Sequence, residues 1–580
     1  MTEQTQSPDA RPAAGSPAPD DADVVVIGGG HNGLVAATLL ARAGHSVTVL
    51  ERADHVGGAT VSEEVFPGAR ISRDSYLVSL FPQELLDELG LELELVPRRY
   101  SSYTPVPGTS DGLLVDNHDA RATRASFDTI GDADDAARFA DFHARTSTLA
   151  EALWPTMMGP LPRRAEARAL VAALPGGAGV WEDFVERPLG EVVERSVGSD
   201  LARGVVLTDA LIGTFAGAHD PSLEQNRCFL YHVIGRGTGA WDVPRGGMGR
   251  LADGLADAAR EAGARIVVSA EVTAVSPGGR VAYRGPGGTA ELRAGRILAN
   301  VAPAALARLV AADGDSPDGD SAAGGSADAD AAPSARSAAA FAAVPEGAQA
   351  KVNLLLTRLP RLRDFAAPPE IAFSGTFHVN EGYAHLEAAR AAAAAGRIPE
   401  PLPLETYCHS LSDPSILAPE LRRDGHHTMT VFTLHTPHRL LAGRDPGEYR
   451  AQLQAAVLRS LNSVLAEPIE GCIATGPDGA PCIETRTTAD LEDSLGMPGG
   501  NIFHGPLSWP FAEDDEPLET SAARWGVETP WERVLLCGAG SRRGGGVSGL
   551  GGWAAARAIL DAEPGPTGPG AEPGAGRPGR

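Results

Sequence analysis

Near its beginning the chain switches between two hydrophobic periods. Val24-Val25-Val26-Ile27 is an uninterrupted apolar run, the pattern of a central parallel strand covered on both faces. Leu34, Ala37, Leu40 and Ala41 then recur at helical spacing, Gly44 stops that helix, and Val47 and Val49 open a second strand that ends on Glu51. Further on, the turn Gly246-Gly247-Met248-Gly249 precedes Leu251, Leu255 and Ala258 at helical period, and Arg265 to Val272 reads as one strand. Val534-Leu535-Leu536-Cys537-Gly538-Ala539-Gly540 reads as a strand and turn, followed by a glycine-rich loop to Gly552 and a helix from Trp553 to Asp561. These units predict one parallel sheet assembled from distant parts of the chain. Between them, 101–240 is largely helical, with short apolar repeats from Arg138 to Leu211. The stretch 340–490 holds strand candidates such as Val352–Leu356 and Met429–Leu434.

The turn after the first strand carries chemistry. Gly28 permits a tight turn, Gly30 lets the backbone approach a pyrophosphate, and Gly33 lets the helix pack closely on the strand. The helix N-terminus offers free N–H groups to a phosphate, and Glu51 at the second strand's tip suits ribose hydroxyls. A lone G-x-G-x-x-G is a weak signal, but strand, helix, second strand and acid in register make a strong one. The extension Glu51-Arg52-Ala53-Asp54-His55-Val56-Gly57-Gly58, continuing to Ala59, resembles the longer motif of the glutathione-reductase-like FAD superfamily. FAD is therefore preferred over NAD. His31 and Asn32 lie inside the phosphate loop and are assigned to the cofactor. The glycine loop Gly544-Gly545-Gly546-Val547-Ser548-Gly549 strips side chains from a stretch bounded by strand and helix, which suits close approach to a flat ring or phosphate.

Composition narrows the field. With 580 residues, 43% hydrophobic and 21% charged, the chain can bury large cores without disulfide or metal staples. A formal charge of −26 argues against nucleic acid as a partner. The five cysteines, Cys228, Cys408, Cys472, Cys482 and Cys537, include no close pair, so no metal site and no redox disulfide is expected. No secretory signal or run of about 20 apolar residues is found, which reads as a cytoplasmic protein with at most peripheral membrane contact. The expected division is a disordered tail at 1–20 and a discontinuous FAD-binding domain at 21–100, 240–312 and 490–562. A substrate domain takes 101–239 and 339–489, an acidic low-complexity insertion 313–338, and a second disordered tail 563–580.

Three segments together carry a family resemblance: GGGHNGLVAATLLARAGHSVTVLERADHVGGAT, PRGGMGRLADGLADAAREAGARI and LLCGAGSRRGGGVSGLGGWAAARAIL. They resemble the phytoene desaturase-like FAD oxidoreductases, and within them the branch typified by pyridine nucleotide-disulfide oxidoreductase domain-containing protein 2. Asp413-Pro414-Ser415 with Ala418-Pro419, and Thr488 to Glu492 leading to Pro498–Gly505, support that branch. The resemblance implies an amine-oxidase/phytoene-desaturase-like two-domain flavoprotein, α/β plus α+β, in which a Rossmann-type FAD-binding domain is interleaved with a substrate domain. It also implies that Val272 runs beside the adenine and that Gly540, Gly546, Val547 and Gly549 lie beside the isoalloxazine. Relatives often carry Thr-His-Pro where this chain has Ser541-Arg542-Arg543, which places two arginines at the flavin edge or out in solvent. No paired-cysteine centre and no second nucleotide fingerprint is present, so reoxidation by oxygen or a quinone is expected rather than disulfide reduction.

Lys351 is the single lysine, arginine supplying the other basic positions. It begins an apolar strand, and amine-oxidase-fold relatives resemble this with a lysine that holds a water against the flavin. His504 is the second catalytic candidate, as a substrate-facing acid or base. The leading reading is an FAD-dependent oxidoreductase dehydrogenating a hydrophobic small molecule by hydride transfer to flavin. A flavin-dependent isomerase without net redox and a non-catalytic FAD-stabilised regulatory or partner-binding protein are the alternatives.

Overall fold

The computed structural model describes residues 21–314 and 341–562. The two tails, and the acidic insertion beyond Gly314, lie outside the described residues.

The first sheet grows around the apolar run. Ala22–Ile27 lies between Val47–Leu50 and the C-terminal half of Gly288–Ala299, with Arg265–Val267 and Val534–Leu536 outside them, all parallel. Val24, Val25 and Val26 are almost completely buried, as a strand covered on both faces requires. On one side the helices His31–Arg42, Gly249–Glu261 and Leu550–Leu560 pack together. The N-terminal half of Gly288–Ala299 leaves the parallel register and pairs antiparallel with Arg280–Gly285, which in turn pairs with Glu271–Val275.

Arg265 to Val272 is therefore not one strand. Ser269 takes a φ of 52°, while the Ser269 and Ala270 N–H groups donate to the carbonyls of Ala53 and Glu51. The chain turns there from the parallel sheet into the antiparallel one, and no glycine or proline marks the turn in the sequence. The last helix begins at Leu550 rather than Trp553 because Gly549, at a φ of 69°, supplies the left-handed turn that starts it.

The second sheet has seven strands in the order Ile483–Arg486, Lys351–Leu356, His427–Thr433, Leu404–Tyr407, Thr376–Val379, Tyr100–Pro105, Gly112–Asp116. Only Thr376–Val379 and Tyr100–Pro105 run parallel. One face carries Val352, Leu354, Leu356, Val379, Leu404 and Val431, buried against the helix Pro446–Val464. The opposite face looks onto a large cavity, roofed by a helical layer whose core includes Phe142, Trp181, Phe184 and Phe229.

Candidate active site

A cavity of about 1170 Å³ runs between the phosphate loop and the second sheet. It exceeds the roughly 300–1,000 Å³ of an ordinary ligand pocket. Gly28, Gly30, His31, Asn32, Glu51, Arg52, Gly58, Ala59, Val272, Gly546 and Val547 all line it, as do Lys351 and His504.

Gly33, Gly57, Gly540 and Gly549 do not line it, and their absent side chains serve packing. A Cβ on Gly33 would lie 2.4 Å from the Gly28 carbonyl oxygen, and one on Gly57 would meet Val61 and Ala252 at 2.9 and 3.0 Å. One on Gly540 would sit 2.6 Å from Pro303, and one on Gly549 2.9 Å from Leu85 and Phe81. Such approaches are closed to any other residue, so the loops hold their shape by close packing.

Glu51 sits where the second strand predicts, and its carboxylate ties the cradle together. It accepts from the Gly29 N–H at 2.7 Å and the Ala53 N–H at 2.8 Å. Arg52 donates to the Asp493 and Ser494 carbonyls, linking the cradle to the segment before His504. Asn300, at the end of the long strand, donates to the Gly28 carbonyl at 3.0 Å and also lines the cavity. It was missed in the sequence, where a polar residue closing the run Ile297-Leu298-Ala299 is its only signal.

The floor is a row of side chains set by strand register. Arg486 lies opposite Lys351, Lys351 opposite Phe432, Phe432 opposite Glu405, and Glu405 opposite His378. Directly opposed residues share one face of a sheet, and all five line the cavity. Lys351 is buried and donates to the Ser72 and Asp74 carbonyls at 2.6 and 2.9 Å. Its ammonium lies 4.6 Å from the centre of the Tyr76 ring. Burial pulls its pKa down to about 7, against the opposing pull of Asp74 and Glu484. Asp74 pairs with Arg486 at 3.1 Å, and burial raises its carboxyl above the ordinary range.

His504 takes a φ of 63° because the Asn501 side chain accepts from both Phe503 N–H and Gly505 N–H, curling the chain around it. Burial pulls it down to about 4, and its Nδ1 has no partner. His31 is likewise pulled to about 4, by burial first and the neighbouring His504 second. Both imidazoles are neutral at pH 7. The branch motifs have structural work: Asp413 is fully buried and accepts from the Gly246 N–H, and Thr487 and Asp490 cap the helix Thr488–Leu495.

Arg542 and Arg543 lie neither at the cavity nor in solvent. Arg543 is buried and donates to the Met157, Gly159 and Pro510 carbonyls, while Arg542 binds the Phe511 carbonyl and Glu516. The Arg543 bonds to Met157 and Gly159 join residues more than 380 apart, a pairing invisible in local sequence. Glu405, His378 and Asp209 were also missed, since each sits singly in an apolar or helical stretch.

The family profile for flavin containing amine oxidoreductases matches residues 33–315. An uncharacterised protein of Mycobacterium tuberculosis is 50% identical over 93% of this chain and 97% of its own length. The chain is a flavin-containing oxidoreductase of the amine oxidoreductase family. A rat protein, pyridine nucleotide-disulfide oxidoreductase domain-containing protein 2, is 29% identical over 93% of both chains. In fold, the chain is similar to a solved redesigned putrescine oxidase, at a TM-score of 0.54 and 17% identity over 94% of this chain and all of that one.

FAD, the cofactor of this family, fits the cradle. Glycines 28, 30 and 58 leave backbone open to the cavity, and the His31–Arg42 helix aims its N-terminus there. The buried Oδ1 of Asn32 and Nε2 of His31 have no partner within the protein. The five cysteines are all buried free thiols. No helix among the described residues is long and apolar enough to cross a membrane.

Proposed function

We propose that the protein dehydrogenates a hydrophobic small molecule in the cavity and passes the electrons to oxygen or a quinone. The observation that carries this reading is the cavity itself: one wall is the nucleotide cradle, the other the row Arg486, Lys351, Phe432, Glu405, His378. Bound FAD supplies a two-electron hydride acceptor. Leu80, Val205, Ile212, Phe432, Ile502 and Phe503 surround an apolar body and keep water from it. Lys351, gripped by two carbonyls and partly charged near neutral pH, places positive charge where the cavity meets Tyr76 and Asp74, which favours negative charge developing nearby. His504, neutral and unpartnered at Nδ1, is available to hold a substrate proton. We further propose a cytoplasmic protein, with cofactor contacts from Gly28, Gly30, Asn32, Glu51, Arg52 and Val547.

The test is the absorption spectrum of the purified protein, followed by anaerobic photoreduction and admission of air or of a soluble quinone. Oxidised-flavin bands that bleach and return with either acceptor support the reading, and Lys351→Met should slow the return at least about tenfold. Absence of flavin even after refolding with FAD, or recovery only with NAD(P)⁺, overturns it.

A further inference from the structure

A second cluster of buried ionisable groups lies away from the cradle, at the far end of the sheet row. His378 and Glu405 face each other across neighbouring strands. Immediately past the end of the His378 strand, Asn380 takes a φ of 56° and returns the chain so that Glu381 meets His378, Oε2 to Nδ1, at 2.5 Å. His378, Glu381 and Glu405 are 4%, 1% and 3% exposed, and one ligand atom from each lies within 4.8 Å of the others. Asp209 follows Thr208 from the helical layer, and both line the same end of the cavity.

This group is short of positive charge. Among the described residues no arginine or lysine forms an ion pair with Glu381, Glu405 or Asp209. Arg98, at that end of the cavity, spends its guanidinium on the Trp241 carbonyl and the Thr376 hydroxyl. Glu381 Oε1 is buried without a well-aligned hydrogen bond, the Thr208 hydroxyl lying near its carboxyl, an arrangement that costs free energy unless something satisfies it better. Glu405 is held differently: Thr208 donates to its Oε1 at 2.8 Å and Tyr407 to its Oε2 at 2.5 Å, leaving lone pairs on both oxygens aimed by fixed donors. Hydrogen-bonded second partners of this kind orient metal-binding carboxylates.

We propose that His378, Glu381 and Glu405 bind a divalent first-row transition-metal ion, Mn²⁺ or Zn²⁺, at the end of the cavity remote from the cradle. One imidazole and two carboxylates form a donor set suited to such ions. Three protein ligands with a remaining position open to a cavity is the usual layout of a catalytic rather than a structural metal site. The ion replaces the proton shared by His378 Nδ1 and Glu381 Oε2, and Glu405 closes on it. Ligands about 2.1 Å from a common ion stand roughly 3–4 Å apart, so the side chains shift by about an ångström or less and the backbone stays in place. The fourth position opens into the cavity, where water or an oxygen atom of a bound molecule takes it. Ligands bind the ion only in their deprotonated form, so loading releases protons.

The experiment uses FAD-loaded protein stripped with a chelator and dialysed at about pH 8. Mn²⁺ titration followed by electron paramagnetic resonance and Zn²⁺ titration by calorimetry should each give one ion per chain. Zn²⁺ should raise the melting temperature of the unsubstituted protein, a readout that needs no variant. Glu381→Gln and Glu405→Gln should each weaken binding at least about 100-fold while the flavin spectrum, which reports the fold, is unchanged. No saturable binding and no thermal shift in the unsubstituted protein overturns the proposal. So does equal affinity in both variants, which would place the ion elsewhere. Because every readout is independent of turnover, the outcome does not depend on the oxidoreductase reading.

Discussion

Lys351 shows how much one buried charge can report. An ordinary lysine titrates near 10.5 and this one near 7, with burial the larger cause. Between those values the unfolded chain carries a proton that the folded chain lacks, so this group makes folding more favourable as pH rises through that window. Below about pH 7 both states are protonated and the full cost of burying the ammonium stands. Lys351→Met removes the titration. Denaturant unfolding of both proteins at about pH 6 and about pH 9.5 should therefore show the unsubstituted chain gaining on the variant, by at most about 1.4 kcal/mol per pH unit. Parallel pH profiles would mean that the ammonium is better solvated than its burial implies.

Among the elements, the pair of helices His31–Arg42 and Leu550–Leu560 decides whether the cradle keeps its shape. They approach closely enough that a Cβ on Gly552 would lie 2.0 Å from the Asn32 carbonyl oxygen. The Asn32 side chain reaches the Gly544 carbonyl on the neighbouring loop, so the two helices and both glycine loops move together. Gly552→Val forces them apart. The expected cost is about 1–3 kcal/mol of stability, together with loss of bound flavin measured as the ratio of flavin to protein absorbance. Full flavin occupancy in a folded variant would show that the contact is packing alone. Helix period and glycine spacing were both legible in the sequence here. The start of the last helix was not, because Gly551 and Gly552 read as loop residues until the neighbouring helix supplies the reason for their small size.

For the whole molecule, Arg543 ties the C-terminal loop to the helical layer. Its guanidinium satisfies carbonyls at Met157, Gly159 and Pro510, and burial lowers its pKa to about 10 while leaving it charged at neutral pH. Arg543→Met strands those carbonyls and should cost roughly 3 kcal/mol, read as a lower denaturation midpoint. The flavin spectrum should change little, since the side chain does not line the cavity. A strong spectral change would instead place the arginine's influence at the ring.

By itself, the sequence determined the nucleotide-binding strand, helix and strand, the spacing of the glycines, the acid at Glu51 and the family. Each of these is a local pattern, because a backbone that must approach phosphate leaves glycines at set intervals. It also singled out Lys351 through composition alone. Only the tertiary structure decided what Lys351 faces. Strand register set Arg486, Lys351, Phe432, Glu405 and His378 in one row, and pairing between separate strands leaves no periodic trace in any one of them. Glu381 joins that row through a single left-handed residue, Asn380, and the two arginines expected at the flavin edge or in solvent are held instead by carbonyls and by Glu516. Those placements depend on which buried polar groups meet, and that is settled by long-range packing rather than by the order of residues along any one strand.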